Sequence, residues 1–191
     1  MKNIHKLAAI DIGSNAVRLL ITSIRINKTD TKFKKICLVR VPLRLGEDVF
    51  SKGKISDKKL KKLQKTLKAF KILMQMHEVY IFKAVATSAM REAENSTKII
   101  EDIFKKLNIK IDLISGKKEA LMIANVFLNS MENLVNNYLY VDVGGGSTEL
   151  NLISKNKIID TKSFKIGTVR TLNNNTKDLI SYDSFNICKS N

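Results

Sequence analysis

One short pattern occurs twice in the sequence and restricts the possible fold more than any other feature of the chain. Residues 7–21 read LAAIDIGSNAVRLLI, and residues 139–153 read LYVDVGGGSTELNLI. Each copy runs from an apolar strand through an aspartate and a glycine-bearing turn into a second strand. Because Asp11 and Asp142 lie 131 positions apart, the pattern is the repeated unit of two lobes and not the period of a solenoid.

The segments around this repeat alternate between β-branched runs and amphipathic stretches, which predicts an α/β protein. Ser56 is a favourable N-cap for a long helix, whereas residues 173–191 have no clear pattern. The predicted elements are strands at 7–12, 16–24 and 33–43, a turn with Gly46 and Gly53, a helix at 57–77, a strand at 79–85, helices near 88–94 and 97–107, a strand at 109–114, a helix at 117–130, and strands at 138–143, 148–154 and 157–165.

The charge of the chain is strongly positive, at +16 for 191 residues. Lysine supplies 28 of its 34 basic residues, and asparagine and isoleucine, which also have AT-rich codons, are abundant. Proteins that recognise specific nucleic-acid sequences usually do so through arginine, whose guanidinium can form two parallel hydrogen bonds. Genome composition therefore explains most of the charge better than a specific nucleic-acid partner does.

Three further features bear on the location of the protein. No uncharged apolar stretch approaches the roughly 20 residues that a membrane-spanning helix needs. The N-terminal apolar run is too short for a signal peptide. Cys37 and Cys188 are isolated and form no CxxC pair, which is typical of a reducing compartment. These features predict a cytoplasmic protein that does not bind membranes.

The two turns have the chemistry of a phosphate site. Glycines allow unusual backbone angles, and converging N–H groups attract phosphate oxygens. An aspartate beside phosphate is a natural ligand for Mg²⁺. Either turn alone could be a plain hairpin, but the two together favour phosphate binding. No lysine follows the glycines as in a Walker loop, and the third glycine of a dinucleotide fingerprint is missing. The turns also offer polar side chains from Ser14, Asn15, Ser147 and Thr148.

Six segments, in chain order, resemble the exopolyphosphatase/guanosine pentaphosphate phosphohydrolase (Ppx/GppA) family of the actin-like ATPase superfamily. The third and fourth are the most particular to that family. The segments are AAIDIGSNAVRLLI at 8–21, RLGEDVFSKGKIS at 44–56, AVATSAMREAENS at 84–96, LISGKKEALMI at 113–123, VDVGGGSTELNL at 141–152 and KIGTVRTL at 165–172.

The resemblance implies two ribonuclease-H-like lobes, each with a mixed central sheet flanked by helices, and an active site in the cleft between them. Residues 1–125 would form the first lobe, with the first phosphate loop and the general base. Residues 126–191 would form part of the second lobe, with the glycine-rich second loop. We expect a C-terminally truncated family member, whose exposed strand faces would favour a homodimer.

The activity implied is Mg²⁺-dependent hydrolysis of terminal phosphoanhydride bonds in inorganic polyphosphate or in guanosine pentaphosphate, a nucleotide of the stringent response. Glu119 matches the general base of the family and Arg91 a phosphate-contacting arginine. Asp11, Asp142 and Glu149 match carboxylates that bind metal or position water. The phosphate-binding turns would comprise Gly13, Ser14, Asn15, Gly144, Gly145, Gly146, Ser147 and Thr148.

Other interpretations remain open at this point. Without the resemblance, Glu119 would be a carboxylate favoured by the helix dipole, and Arg91 would be a surface ion-pair partner. Lys117 and Lys118 stand where the family commonly has acidic residues. A truncated, non-catalytic module that binds polyphosphate or a guanosine nucleotide is the main alternative. An ATP-dependent kinase and a nucleic-acid-binding protein have less support.

Overall fold

The computed structural model describes residues 4–26, 31–131 and 136–173. The elements, in chain order, are β1 (Ile4–Ile12), β2 (Val17–Ile26), β3 (Thr31–Val41), α1 (Leu45–Lys52), α2 (Asp57–Met76), β4 (Ile81–Ala86), α3 (Ser88–Glu92), α4 (Ser96–Leu107), β5 (Ile111–Leu113), α5 (Gly116–Ser130), β6 (Asn137–Val143), β7 (Thr148–Ser154), β8 (Lys157–Phe164) and α6 (Thr168–Asn173).

The first sheet has five strands in the order β3-β2-β1-β4-β5. Strands β1, β2 and β3 are antiparallel neighbours, whereas β4 lies parallel to both β1 and β5. The carboxyl ends of parallel strands meet at one edge of a sheet. The turn after β1, helix α3 after β4 and helix α5 after β5 therefore all begin at this edge.

Helices α2 and α4 cover one face of the first sheet. The Ser56 hydroxyl caps α2 by accepting a hydrogen bond from the Lys59 N–H. The apolar residues of α2 recur at helical spacing and face the sheet. They form the main core together with β1, β2 and α4, and the buried α2 residues are Leu63, Leu67, Phe70 and Met74.

The second sheet is a three-stranded antiparallel meander, β6-β7-β8. Helix α5 packs on one face, where Ala124 and Ile153 are fully buried and the Phe127 ring lies 5.0 Å from the Tyr140 ring. The other face exposes apolar side chains, so the predicted exposure of strand faces is present. Dimerisation stays a prediction. These exposed residues are Leu139, Val141, Val143 and Leu152.

Most predicted elements are present, and the mixed first sheet with its helices confirms the α/β class. The predicted boundary at residue 125 falls inside α5, which connects the two sheets. No helix of the described residues is long and apolar enough to cross a membrane. Cys37 is a free, half-buried thiol on β3, whereas Cys188 and the rest of 174–191 lie outside the described residues.

One element was predicted wrongly. The segment with Gly46 and Gly53 forms helix α1 and not merely a turn. Gly46 is buried inside this helix, where it packs against Ser14 of the first turn. Gly53 is the C-cap, with φ of 72°. The two glycines therefore serve close packing and helix termination. Helix α6, which was not predicted, has only six residues.

Candidate active site

A cavity of about 470 Å³ lies between the two sheets, at the edge where the repeated turns meet. It brings together most of the predicted site residues from both copies of the repeat. Arg91 and Thr148 are the two predicted residues that do not line it. The predicted residues in its wall are Asp11, Gly13, Ser14, Asn15, Glu119, Asp142, Gly144, Gly145, Gly146, Ser147 and Glu149.

The two turns have the same local backbone. The first loop, residues 13–16, joins β1 to β2, and the Gly13 N–H donates to the Ala16 carbonyl at 3.0 Å. The second loop, residues 144–147, joins β6 to β7, and the Gly144 N–H donates to the Ser147 carbonyl at 2.9 Å. The repeat seen in the sequence is therefore a repeat in three dimensions.

The loop glycines are required by close packing. None of the loop glycines has a positive φ, so the expected unusual backbone angles are absent. A Cβ on Gly146 would lie 2.5 Å from Phe50 Cζ and 2.7 Å from Ser14 Oγ, and closer still to Ser88 Oγ. A Cβ atom essentially never lies this close to another heavy atom in a protein. Glycine at position 146 therefore lets the second loop pack directly on the first lobe.

The carbonyl groups of the second loop are bound by helix α6. The Thr168 N–H donates to the Gly144 carbonyl at 3.0 Å, and the Val169 N–H donates to the Gly145 carbonyl at 2.8 Å. The C=O and N–H of a trans peptide point in opposite directions. The N–H groups of Gly145 and Gly146 therefore point away from α6, as a phosphate site requires.

The first loop is held in a corresponding way at the beginning of helix α1. The Gly46 N–H donates to the Ser14 carbonyl at 2.8 Å, and the Arg44 N–H donates to the Asn15 carbonyl at 2.7 Å. By the same geometry, the N–H groups of Asn15 and Ala16 point away from α1. Each loop thus has its carbonyls tied to the helix that follows the third strand of its sheet.

Two predicted phosphate-binding hydroxyls make local hydrogen bonds. Ser14 Oγ lies 2.7 Å from Ser88 Oγ and accepts from the Ala89 N–H at 3.1 Å. Thr148 Oγ1 donates to the Ile166 carbonyl at 2.7 Å. These two hydroxyls hold the loops in place, and their role toward phosphate stays a prediction.

Glu119 lies in the first turn of α5, which Ser115 caps by accepting from the Lys118 N–H at 3.2 Å. One carboxylate oxygen, Oε2, is buried without a hydrogen-bond partner. Burial raises the pKa of Glu119 to about 7, with a further increase from the Glu149 charge and a decrease from Arg91. A carboxyl with this pKa exchanges protons near neutral pH.

Arg91 reaches the general-base candidate from α3. Its Nη1 donates to the Ile114 carbonyl at 2.6 Å and lies 3.9 Å from Glu119 Oε2. The guanidinium therefore contacts the residues that begin α5, and its contact with phosphate stays a prediction.

The remaining carboxylates differ in their surroundings. Burial is the largest influence and raises the pKa of Asp11, which Arg18 lowers from 3.4 Å and Asp142 raises. Glu149 is 1% exposed and accepts a hydrogen bond from Ser163 Oγ at 2.8 Å. In the antiparallel pairing of β6 and β7, Asp142 lies directly opposite Glu149.

Sequence reasoning missed several polar residues of the site. Thr87 and Ser88 line the cavity, and their position just after β4 could have indicated this, since β4 ends at the same edge as β1. Ser163 could have been found from the pairing of β7 with β8. Arg170 and Glu92, which form an ion pair at 2.8 Å, lie in the segments 165–172 and 84–96 that resemble the family, and this placement could have indicated them.

With this geometry established, a family model for the Ppx/GppA phosphatase family matches residues 25–190. The chain belongs to the Ppx/GppA phosphatase family. This match covers most of the chain, including both helices that tie the loops and the second glycine-rich loop itself.

Two individual relatives have phosphatase names. The chain is 33% identical over 173 residues to the bifunctional 3-dehydroquinate synthase/phosphatase of Fusobacterium nucleatum. This alignment covers 88% of this chain and 26% of that protein. It is 25% identical over 175 residues to exopolyphosphatase 2 of Mycobacterium tuberculosis, covering 86% of this chain and 53% of that one.

A solved exopolyphosphatase structure has the same architecture. The structure of an exopolyphosphatase from Cytophaga hutchinsonii superposes with a TM-score of 0.82 at 29% identity, over 96% of this chain and 58% of that one. The ribonuclease-H-like fold implied by the sequence is therefore confirmed. The chain spans about half the length of the exopolyphosphatases it matches, and about a quarter of the bifunctional protein.

Proposed function

We propose that this chain hydrolyses terminal phosphoanhydride bonds of inorganic polyphosphate. The observation that carries the proposal is the position of Glu119, a largely buried carboxylate in the wall of a cavity formed by two phosphate-type loops. A general base is most effective when its pKa lies near the working pH. Among the relatives, two exopolyphosphatases support the substrate class.

The chain's own groups have distinct roles in this proposal. The N–H groups of both loops receive the oxygens of the terminal phosphoryl group and neutralise part of its charge. Glu119 accepts the proton of the attacking water, which is the step that phosphoanhydride hydrolysis requires of the protein. Arg91 orients the start of α5 through the Ile114 carbonyl and so helps to position Glu119.

Mg²⁺ is the cofactor we propose. Among the described residues, no group of three or more His, Cys, Asp or Glu side chains could hold a metal ion unaided. Mg²⁺ commonly takes one or two carboxylates and completes its shell with water and substrate phosphate. Asp11 and Asp142, which both line the cavity and of which Asp142 raises the pKa of Asp11, fit this need, and Glu149 would support them. When bound, Mg²⁺ would neutralise charge on the phosphoryl oxygens.

Guanosine pentaphosphate is the second substrate that we propose. Its 5′ end has a terminal phosphoanhydride of the same chemistry as the end of a polyphosphate chain. The cavity wall also contains apolar side chains from α5, including Met122 and Ile123, beside the polar loops.

The test of the proposal is the variant Glu119→Gln, assayed for phosphate release from polyphosphate with Mg²⁺. We expect kcat to fall by about 10²–10⁴-fold, the usual contribution of a positioned general base. Glu101→Gln, an exposed position on α4, is the matched control and should keep the wild-type rate. Equal rates for the two variants would remove Glu119 from the mechanism.

A second candidate function is binding without hydrolysis. It is favoured by one observation, namely the net charge of +16, which attracts a polyanion whether or not a water molecule is oriented for attack. In that case calorimetry would show salt-sensitive binding of polyphosphate by the chain, and no phosphate would be released. Absence of binding at low salt would exclude this candidate.

A further inference from the structure

The Arg170 side chain joins three elements from both sides of the cavity. Its Nε donates to the Gly146 carbonyl at 2.9 Å, and its Nη2 donates to Glu92 Oε1 at 2.8 Å. The guanidinium also lies 4.0 Å from the centre of the Phe50 ring, which is a favourable cation–π distance. Arg170 lies on α6, whereas its partners lie on the second loop, on α3 and on α1.

The contact with Gly146 determines the direction of one peptide group. Helix α6 binds the carbonyls of Gly144 and Gly145 through its backbone N–H groups. Within the described part of the chain, the Gly146 carbonyl is instead held by the Arg170 side chain. Because the peptide is planar and trans, the N–H of Ser147 must point away from Arg170. Ser147 lines the cavity, so this N–H is available to a phosphate bound there, and its direction depends on Arg170.

Helix α3 connects this contact to the rest of the site. Ser88, at its beginning, is hydrogen-bonded to Ser14 of the first loop. Arg91 contacts the beginning of α5, and the adjacent Glu92 holds Arg170. A five-residue helix thus fixes the first loop, the general-base candidate and the second loop relative to one another.

We propose that Arg170 is a positioning residue that sets the Gly146–Ser147 peptide of the second loop to receive phosphate and holds that loop against the first lobe through Glu92. The inference rests on the proposed function, since it assigns a role within the same site. The planar fork of arginine allows Nε and Nη2 to bind two acceptors while the face stacks on an aromatic ring. Lysine has a single ammonium group and cannot make all three contacts.

The inference is tested by comparing Arg170→Met and Arg170→Lys with wild type in phosphate release from polyphosphate. Methionine keeps the apolar stem over Phe50 but removes the donors. We expect KM to rise by about tenfold to a hundredfold, the range for losing a hydrogen bond to a charged group. The decrease in kcat should be smaller, because Glu119 keeps its place. Lysine should restore only part of the loss.

Glu92→Ala should change KM in the same direction and by less than Arg170→Met. Because Glu92 acts through Arg170, the double variant Glu92→Ala/Arg170→Met should be no worse than Arg170→Met alone. Glu78→Gln is the matched control. It breaks another ion pair between acid and base, with Lys6 at 2.9 Å, and should leave kcat and KM unchanged. Circular dichroism at the assay temperature establishes that each variant is folded.

Several outcomes would overturn the inference. A folded Arg170→Met variant with the KM of Glu78→Gln would do so, and so would additive effects of Glu92→Ala and Arg170→Met. If wild type binds polyphosphate without releasing phosphate, the proposed hydrolysis fails, and the same variants are compared by calorimetric affinity for polyphosphate. An unchanged affinity in Arg170→Met would then reject the positioning role separately. If wild type neither binds nor hydrolyses polyphosphate, both proposals fail.

Discussion

The two loop-bearing hairpins have nearly the same backbone but different electrostatics. In the hairpin of β1 and β2, Asp11 lies across from Arg18, and an ion pair at 3.4 Å joins them at a partly exposed position. In the hairpin of β6 and β7, Asp142 lies across from the buried Glu149. The repeated backbone therefore gives similar turns on both sides. Among the described residues, the first hairpin pairs its aspartate with an arginine, whereas the second places two carboxylates opposite each other.

This difference explains where a cation and a proton would be handled. Like charges directly opposite in a sheet are destabilising, so under the proposed function the second hairpin is the side that would gain most from Mg²⁺. The same charge raises the pKa of Glu119, to which Glu149 contributes more than Asp11 does. Under the proposed function, the second hairpin would thus prepare the general base, and the first hairpin would chiefly complete the phosphate site.

The largest effect should come from Gly146→Ala, which acts on the hairpin that packs directly on the other lobe. The added Cβ would overlap Phe50 and both Ser14 and Ser88. Overpacking of this kind costs about 1–3 kcal/mol of stability. Because the loop is displaced, the protein should lose most of its phosphate-release activity. Thermal unfolding and activity are measured together.

The comparison for that variant is Gly13→Ala, which adds a Cβ at the first position of the other loop. A Cβ on Gly13 would meet only the Ala16 carbonyl oxygen, at 3.1 Å. We expect a smaller decrease in both stability and activity. Equal decreases for the two variants would show that the close packing of Gly146 on the first lobe has no special effect on stability or activity.

The pH dependence of kcat/KM should be the next largest effect. Because the pKa of Glu119 is raised to about 7, its carboxyl is mostly protonated below that pH and, under the proposed function, cannot act as the base. The rate should therefore fall by about tenfold for each pH unit below 7. The free energy of unfolding should change with pH in the opposite direction. The raised pKa of Glu119 contributes stability that is fully present below about pH 4.5, the ordinary pKa of a glutamate, and is lost as the pH rises through about 7. A rate that stays constant from pH 7 to pH 5 would contradict the assignment.

The pKa of Glu119 allows a comparison of the two hairpins, through the variants Glu149→Gln and Asp11→Asn. Both substitutions remove a negative charge that raises the pKa of Glu119, and the Glu149 charge is the stronger of the two. In metal-free protein, carbon NMR titration of the Glu119 carboxyl should show a lower pKa in both variants. The decrease should be greater in Glu149→Gln. The reverse order would mean that the first hairpin controls the base.

Much of this arrangement could be predicted from the sequence, because its signals are local. The repeat predicted both loops, and the spacing of Leu63, Leu67 and Phe70 predicted the helix that covers the first sheet. The contacts between lobes could not be predicted in this way. The Arg170–Glu92 pair joins residues 78 positions apart, and the need for Gly146 arises from side chains of three other elements. Only the folded chain brings such groups together.

The smallest effect should come from Thr148→Val, which makes the second hairpin resemble the first. Thr148 and Val17 occupy the same position after their loops, as the first paired residue of the second strand. The substitution removes the hydrogen bond from Thr148 Oγ1 to the Ile166 carbonyl, which should cost about 0.5–1.5 kcal/mol of stability. Because Thr148 lies outside the cavity wall, we expect kcat and KM for polyphosphate to change less than twofold, roughly the effect of a surface substitution. A tenfold or larger rise in KM, about 1.4 kcal/mol, would instead show that this hydroxyl binds phosphate and that the two hairpins differ in their side-chain donors as well as in their charge.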